Sequence, residues 1–271
     1  MNVIVSGAFD DIKSPDVRFL QEASKHGPVT VLLWTDSLFQ KINGRAPKFP
    51  QQERKYFIEN LRYVTEVHLI NQLDSINTLP PEFLASGSIW VVRETEHHPE
   101  KERFAISHKI TYLVIPTSQL AGFPNPIPSP QPNPTRKKVI VTGCYDWLHS
   151  GHIRFFEEAS TYGDLYVGIG SDENIKALKG QGHPMFPQEE RLYMVASVKH
   201  VYHAFINSGF GWLDAEPDIL RIKPDFYIVN EDGDRGGKKE FCEKHGITYI
   251  VLKRAPAPGL PRRSSTELRG F

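Results

Sequence analysis

Cysteine is nearly absent from this chain, with only Cys144 and Cys242 in 271 residues. Two cysteines without ligand-like spacing exclude a disulfide framework and a zinc site, and a reducing, cytoplasmic setting is expected. Net charge is lacking as well, because 32 Lys and Arg offset 32 Asp and Glu. A protein that coats nucleic acid or lies on a membrane would carry an excess of one sign. Neither partner is expected here, although a local basic pocket remains open. No apolar run approaches the roughly 18 residues of a membrane-spanning helix. The opening Met1 to Val5 reads as a strand rather than a signal peptide. What the chain does have is length, enough for one large domain or two small ones with proper cores.

It also contains a copy of itself. Val3 to Ser24 reads VIVSGAFDDIKSPDVRFLQEAS and Val139 to Ser160 reads VIVTGCYDWLHSGHIRFFEEAS, with 11 identities in 22 positions at an offset of 136. Phe49 to Arg54 pairs with Phe186 to Arg191, and Ile110 to Ile115 with Ile247 to Leu252, both at an offset of 137. One single-residue insertion therefore covers the span, and the chain is a tandem duplication. Three segments are expected: a domain over 1–115, a proline-rich linker over 116–138 and a second domain over 139–271. Alternating proline from Pro124 to Pro134 favours polyproline II, a semi-rigid strap of roughly 35 Å. That alternation lacks the P-x-x-P spacing and basic anchors of an SH3-type ligand, so a plain linker is the reading.

In the second half, strands are expected at 139–142, 165–170, 202–206, 226–229 and 247–252. Helices are expected at 152–162, 173–178, 188–199, 216–222 and 237–245, with a short last one from about 265. The strand runs are apolar on both faces, as central parallel strands under helices should be. This is an α/β fold with a doubly wound parallel sheet, which binds ligands at the carboxyl ends of its strands.

The first of those strands leads through a turn into His149-Ser150-Gly151-His152. A strand, a glycine-bearing turn and a helix N-terminus make a phosphate site, where unpaired N–H groups meet the positive end of the macrodipole. Two histidines three apart can both donate to phosphate oxygens, and Gly151 lets the backbone come close. The first half has Lys13, Pro15 and Asp16 at the places of His149, Gly151 and His152. Asn43 stands near the place of Lys179, and Arg93 and Thr95 at those of Asn230 and Asp232. Residues 1–115 are therefore expected to keep the fold without catalysing.

Gly143-Cys144-Tyr145-Asp146-Trp147-Leu148-His149-Ser150-Gly151-His152 resembles the G-x-[FY]-D-x-[LMV]-H-x-G-H signature of the HxGH nucleotidyltransferase superfamily, in its cytidylyltransferase-like branch. Lys179-Gly180, Gln188 to Arg191 and Arg263 to Arg269 resemble that branch's K-G, E-x-R and I-S-[ST]-T elements. The resemblance implies two Rossmann-like nucleotidyltransferase domains forming an intramolecular pseudo-dimer, itself monomeric or a further homodimer. The tandem plan is similar to that of ethanolamine-phosphate cytidylyltransferases, whose intact motif lies in the N-terminal half instead.

It further implies transfer of CMP from CTP to a small phosphorylated alcohol, amine or sugar, with Mg²⁺ carried mainly by the triphosphate and no metal ligands from the chain. Two alternatives stay open: ATP used at the same site, and a nucleotide-binding regulator without turnover. By resemblance, His149, His152 and Lys179 are catalytic. Gly143, Cys144, Tyr145, Gly151, Arg191, Asn230, Asp232, Arg263, Ser264, Ser265 and Thr266 would bind nucleotide or phosphate. Asp146 and Trp147 would border the acceptor pocket, with Phe210 and Trp212 nearby.

Each assignment has a plainer reading beside it. Arg191 could be a structural ion pair, since Arg54 matches it. Asp146, matched by Asp10, could shape the turn, and Trp147 could be a packed core aromatic. Lys179 could simply be solvated on a Gly-rich loop, Cys144 could fill space, and Ser264 with Glu267 fits a capping box. His183, His200, His203 and His245 read as surface or satisfied histidines.

Overall fold

A computed structural model of the chain describes residues 2–125 and 135–268. The polyproline expectation from Pro126 to Pro134 and the Arg269 end of the closing motif lie outside the described residues. Two compact units are present, Met1–Phe123 and Pro124–Phe271. The first extends beyond the boundary expected at 115. A short helical turn over Thr117–Leu120 packs back on it, and Arg18 donates to the Gln119 carbonyl at 2.8 Å.

In the first unit the order is β1 (Val3–Gly7), α1 (Ser14–Ser24), β2 (Val29–Trp34), α2 (Asp36–Asn43) and α3 (Gln51–Glu59). There follow β3 (Glu66–Ile70), β4 (Ile89–Arg93), α4 (Pro99–Ser107) and β5 (Thr111–Ile115). The five strands form one parallel sheet in the order β3-β2-β1-β4-β5. The second unit repeats the plan with β6 (Lys138–Gly143), α5 (Ser150–Ser160), β7 (Asp164–Ile169), α6 (Asp172–Lys179) and α7 (Gln188–Ala196). It continues with β8 (His203–Ile206), α8 (Glu216–Ile222), β9 (Phe226–Asn230), α9 (Lys238–His245), β10 (Thr248–Leu252) and α10 (Ser265–Leu268). Its sheet runs β8-β7-β6-β9-β10, again all parallel. Both halves are α/β with Rossmann-like strand order, as the repeat requires.

The strands are parallel because each is followed by a helical crossover that returns the chain to the same end of the sheet. Val139, Ile140 and Val141 are fully buried, so β6 has no polar face. Ile140, Tyr227 and Val229 pack with Ile219, Phe241 and Cys242 in a cluster between sheet and helices. Ile4, Leu32, Leu38 and Trp90 do the same in the first unit. Strand order reverses between β6 and β9, so loops leaving neighbouring strand ends diverge and open a crevice there. No helix among the described residues is long and apolar enough to cross a membrane.

Candidate active site

The turn after β6 is built around one aromatic ring. Tyr145 adopts φ +51°, the left-handed region, and tucks its ring back over the strand end. A Cβ on Gly143 would come within 2.8 Å of that ring, so only glycine fits. The ring lies edge-on to His152, with centroids 5.3 Å apart. Phe9 repeats the conformation at φ +48° in the first unit.

Asp146 is buried, and its Oδ1 accepts the backbone N–H groups of Met185 (2.7 Å) and Phe186 (3.1 Å). Asp10 makes the corresponding pair of bonds to Lys48 and Phe49. Of the two roles open to Asp146, this favours loop geometry, although the residue also borders the cleft.

His149 is the N-cap of α5, and its Nδ1 accepts the Gly151 N–H at 3.1 Å. A ring nitrogen that accepts carries no proton, so the remaining proton of the neutral ring sits on Nε2. Nε2 is buried and has no hydrogen-bond partner among the described residues. Burial, helped by the positive charges of Arg254 and Arg263, lowers the His149 pKa to about 3. Burial also holds His152 well below its ordinary value, with His149, Arg254 and Lys179 adding to it. The two imidazoles stack at 3.8 Å and 24°. A Cβ on Gly151 would approach the His149 ring at 3.0 Å, which explains the glycine between them. Both rings are thus neutral at physiological pH.

A second helix start meets the first. The Ser265 hydroxyl of α10 donates to the Trp147 carbonyl at 3.3 Å, and Ser264 Oγ caps the Glu267 N–H at 3.3 Å. Arg254, just after β10, donates to the Arg263 carbonyl at 2.9 Å and pairs with Asp232 at 2.6 Å. The result is a cleft of about 370 Å³ at the carboxyl ends of β6 and β9. Its walls include His149, Gly151, His152, Lys179, Asn230, Asp232, Arg254, Ser265 and Thr266. Gly143, Cys144 and Tyr145 floor it. Burial raises the Cys144 thiol above its usual range, which keeps it protonated and inert.

Those contacts put two helix N-termini, two neutral imidazoles and an arginine around one crevice, a grouping suited to a polyphosphate. A family model described as cytidylyltransferase-like matches residues 140–271. An FAD synthase of Methanospirillum hungatei is 34% identical over 134 residues, 48% of this chain and 82% of that protein. The chain belongs to the cytidylyltransferase-like family of nucleotidyltransferases.

The membership rests on the second half. The bifunctional protein HldE of Aliarcobacter butzleri is 41% identical over 105 residues, 38% of this chain. The chain spans only 21% of that protein's length. Among solved structures, a lipopolysaccharide core biosynthesis protein from Thermoplasma volcanium aligns with 25% identity and a TM-score of 0.37. That alignment covers 45% of this chain and 98% of the other.

Four residues named from the sequence stand elsewhere than expected, the first of them Ser264, which caps Glu267 off the cleft lining. Arg191 is 1% exposed and does not border the cleft. Its guanidinium donates to the carbonyls of Phe186, Cys144 and Gly170 and to Asp172, leaving little for a phosphate. Arg54 makes the equivalent bonds to Phe49, Ala8 and Asp36. The arginine is a brace between loops in both halves. Trp147 is also buried and packs edge-on against Phe186 at 5.8 Å, away from the cleft wall. Arg263 offers its backbone carbonyl to Arg254, and its charge acts on His149 from the cleft's edge. His183, read from the sequence as a surface or satisfied histidine, also borders the cleft.

The sequence reading missed Arg254, Asn174, Asp214 and Lys238, which also line the cleft. One signal was available. The repeat aligns buried Asn174 with buried Leu38, and a polar residue that replaces a core leucine at constant fold marks an acquired task.

Proposed function

We propose that the second half transfers a nucleoside monophosphate from a nucleoside triphosphate to a small phosphorylated acceptor, releasing pyrophosphate. The carrying observation is His149: a neutral ring whose protonated Nε2 is buried, unpartnered and set at a polyphosphate-sized cleft. In the reaction an acceptor phosphate oxygen attacks the α-phosphorus, and the bond to the bridging oxygen breaks. Pyrophosphate leaves with that electron pair. The acceptor oxygen is already anionic at neutral pH, so no general base is required. What the protein supplies is alignment and stabilisation of charge.

His149 and His152 donate to the α-phosphoryl oxygens as negative charge builds there. Arg254 and the hydroxyls of Ser265 and Thr266 face the β- and γ-phosphates. Lys179 ends α6, exposed and free to reach the same oxygens as a point charge. Asn230 and Asp232, at the end of β9, lie on the side proposed for the base. Mg²⁺ would neutralise triphosphate oxygens. Among the described residues no three His, Cys, Asp or Glu side chains gather to hold a metal. Asp146 and Asp232 are already bonded to backbone N–H groups and to Arg254. The ion is therefore proposed to arrive with the nucleotide.

The FAD synthase relatives, named for a product that contains an adenylyl group, support ATP as the donor. CTP, expected from the sequence, is the second reading on the strength of the family's description. The first half is proposed to be non-catalytic and to serve as an in-chain partner in a pseudo-dimer, itself monomeric or a further homodimer, which sedimentation of the full chain distinguishes. Calorimetry with ATP and CTP in the presence of Mg²⁺, followed by pyrophosphate release over a panel of phosphomonoesters, tests the reading. Failure to bind either triphosphate would end it.

A further inference from the structure

Asp232 is an odd neighbour for a polyphosphate. A carboxylate at the edge of a phosphate cleft repels the ligand unless a cation takes up its charge. Asp232 borders the cleft, and its Oδ2 lies 2.6 Å from Arg254 Nη1. We infer that Asp232 is a positioning residue for the triphosphate: it holds the Arg254 guanidinium at the cleft and does not itself touch the nucleotide. The inference rests on the nucleotidyltransferase reading and deepens it by assigning how one of the site's cations is aimed.

The repeat isolates the pair. The loops after β4 and β9 open with the same short 3₁₀ turn, over Glu94–Glu96 and Glu231–Gly233. Each is tied to the segment that leaves the edge strand. Glu94 Oε2 accepts the Thr117 N–H at 2.9 Å, and Glu231 Oε1 accepts the Arg254 N–H at 3.4 Å. Both partners of that bond recur at the offset of 137 found along the sequence. The side chains then part. Thr95 and Thr117 stand in the first half where Asp232 and Arg254 stand in the second. Two neutral residues and two opposite charges thus occupy one backbone arrangement, and the charges belong to the copy that carries the histidines.

The guanidinium is held from two sides. Nη1 donates to Asp232, and Nη2 donates to the Arg263 carbonyl at 2.9 Å. Asp232 lies on the loop after β9 and Arg263 on the approach to α10, so one side chain bridges two walls. Its other three N–H groups have no partner among the described residues. Arg254 also sits close enough to act on both imidazoles. Burial first, and then neighbouring positive groups that include Arg254, hold His149 and His152 below their ordinary pKa.

The pair has no net charge, so what it offers a ligand is direction. An unheld arginine samples many rotamers, and fixing it beforehand spares the ligand that ordering. The two side chains are 27% and 51% exposed. An ion pair this wet adds little to folding, which leaves ligand binding as its use.

The test titrates the full chain, in Mg²⁺, with ATP, CTP and inorganic tripolyphosphate by calorimetry. Tripolyphosphate has the phosphates and no base. Asp232→Ala should weaken all three by the same factor, about tenfold, the order of one charge-assisted hydrogen bond losing its geometry. Asp232→Asn keeps an acceptor for Nη1 and should recover most of the loss. Arg254→Ala should weaken all three at least as much, and adding Asp232→Ala to it should cost nothing more. In turnover, Asp232→Ala should raise the triphosphate KM while kcat stays within about twofold, the signature of lost uniform binding. Urea midpoints should match wild type. A loss confined to ATP or CTP, with tripolyphosphate unmoved, would make Asp232 a base contact and overturn the inference. So would tighter tripolyphosphate binding in Asp232→Ala, the mark of a merely repulsive carboxylate, or a further loss on top of Arg254→Ala. Wild-type binding separates the two readings. Triphosphate uptake that Asp232→Ala leaves unchanged sinks the positioning role alone, and no uptake by the wild type sinks the enzyme reading as well.

Discussion

The starts of α1 and α5 occupy the same place in two copies of one fold. In the first copy Asp16 accepts the Lys13 N–H at 2.9 Å and pairs with Arg93 at 2.7 Å. The Arg93 guanidinium also lies over Phe19 at 4.7 Å. In the second copy His152 stands where Asp16 does and Asn230 where Arg93 does, and His149 points an unpartnered Nε2 at a cleft. One helix start is satisfied by a carboxylate of its own chain, and the other leaves a buried imidazole nitrogen unpartnered at the cleft. What the copies share is equally telling. Arg54 and Arg191, Asp10 and Asp146, Phe9 and Tyr145 keep the same bonds or backbone geometry. The atoms that hold the strand-to-helix turn in shape are therefore not the atoms assigned to chemistry. One set can be lost without the other.

The largest expected effect tests the shared set. Arg191→Ala strips the donors from three carbonyls in a dry interior, and Arg54→Ala does the equivalent. Each should cost about 3 kcal/mol or more in urea unfolding. Lysine should not rescue either, because it cannot reach several acceptors at once. Damage from Arg191→Ala confined to nucleotide binding, at unchanged stability, would contradict the brace assignment.

Next in size is the distinction itself. His152→Ala should lower turnover about a hundredfold at little cost in stability. Asp16→Ala should leave turnover near wild type while slightly destabilising the first domain through its lost cap. Equal loss of turnover from both would erase the contrast between the copies.

The smallest effect concerns pH. The His149 pKa is about 3 in the folded chain against an ordinary 6.5, so between those values the unfolded state binds more protons. Stability therefore holds above about pH 6.5 and falls as the pH drops toward 3, by roughly tenfold in the folding constant per pH unit from this group. Lys13 stands at the matching place in the first domain, which makes no such contribution. Hydrogen exchange resolved by domain between pH 7 and 5 should show the second domain loosening first, and His149→Asn should weaken that trend, with buried His152 supplying the rest.

Much of this was legible before any coordinates. The parallel strands and the strand-to-helix turn from Gly143 to His152 lie in contiguous sequence, where periodicity and motif spacing are strong. Element ends were less so. Helix α5 begins at Ser150, not 152, because the His149 ring caps it through Nδ1, a role more often taken by Ser, Thr, Asp or Asn. Helix α7 stops at Ala196, short of the expected 199. The site was legible where one segment supplies it, from Gly143 to His152. Arg254, Asn174, Asp214 and Lys238 come from separate elements brought together only by the sheet, so no local pattern announces them. Arg191 and Trp147 show the opposite failure. A residue inside a motif was read as touching ligand when packing had already claimed it.

Lys179 rides on a leash. Behind it α6 is anchored by the Ser171 cap on the Asn174 N–H at 3.2 Å, and ahead of it Met185 and Phe186 are tied to Asp146. Only Gly180 to Pro184 lies between those posts. Gly180 and Gly182 sit at φ +87° and +79° with open space around them. An extended residue spans at most about 3.6 Å, longer than a hydrogen bond, so gaining or losing one here would move the ammonium from one phosphate to the next. In the reaction proposed above, the length of that short stretch, more than its composition, would set which oxygen the lysine meets.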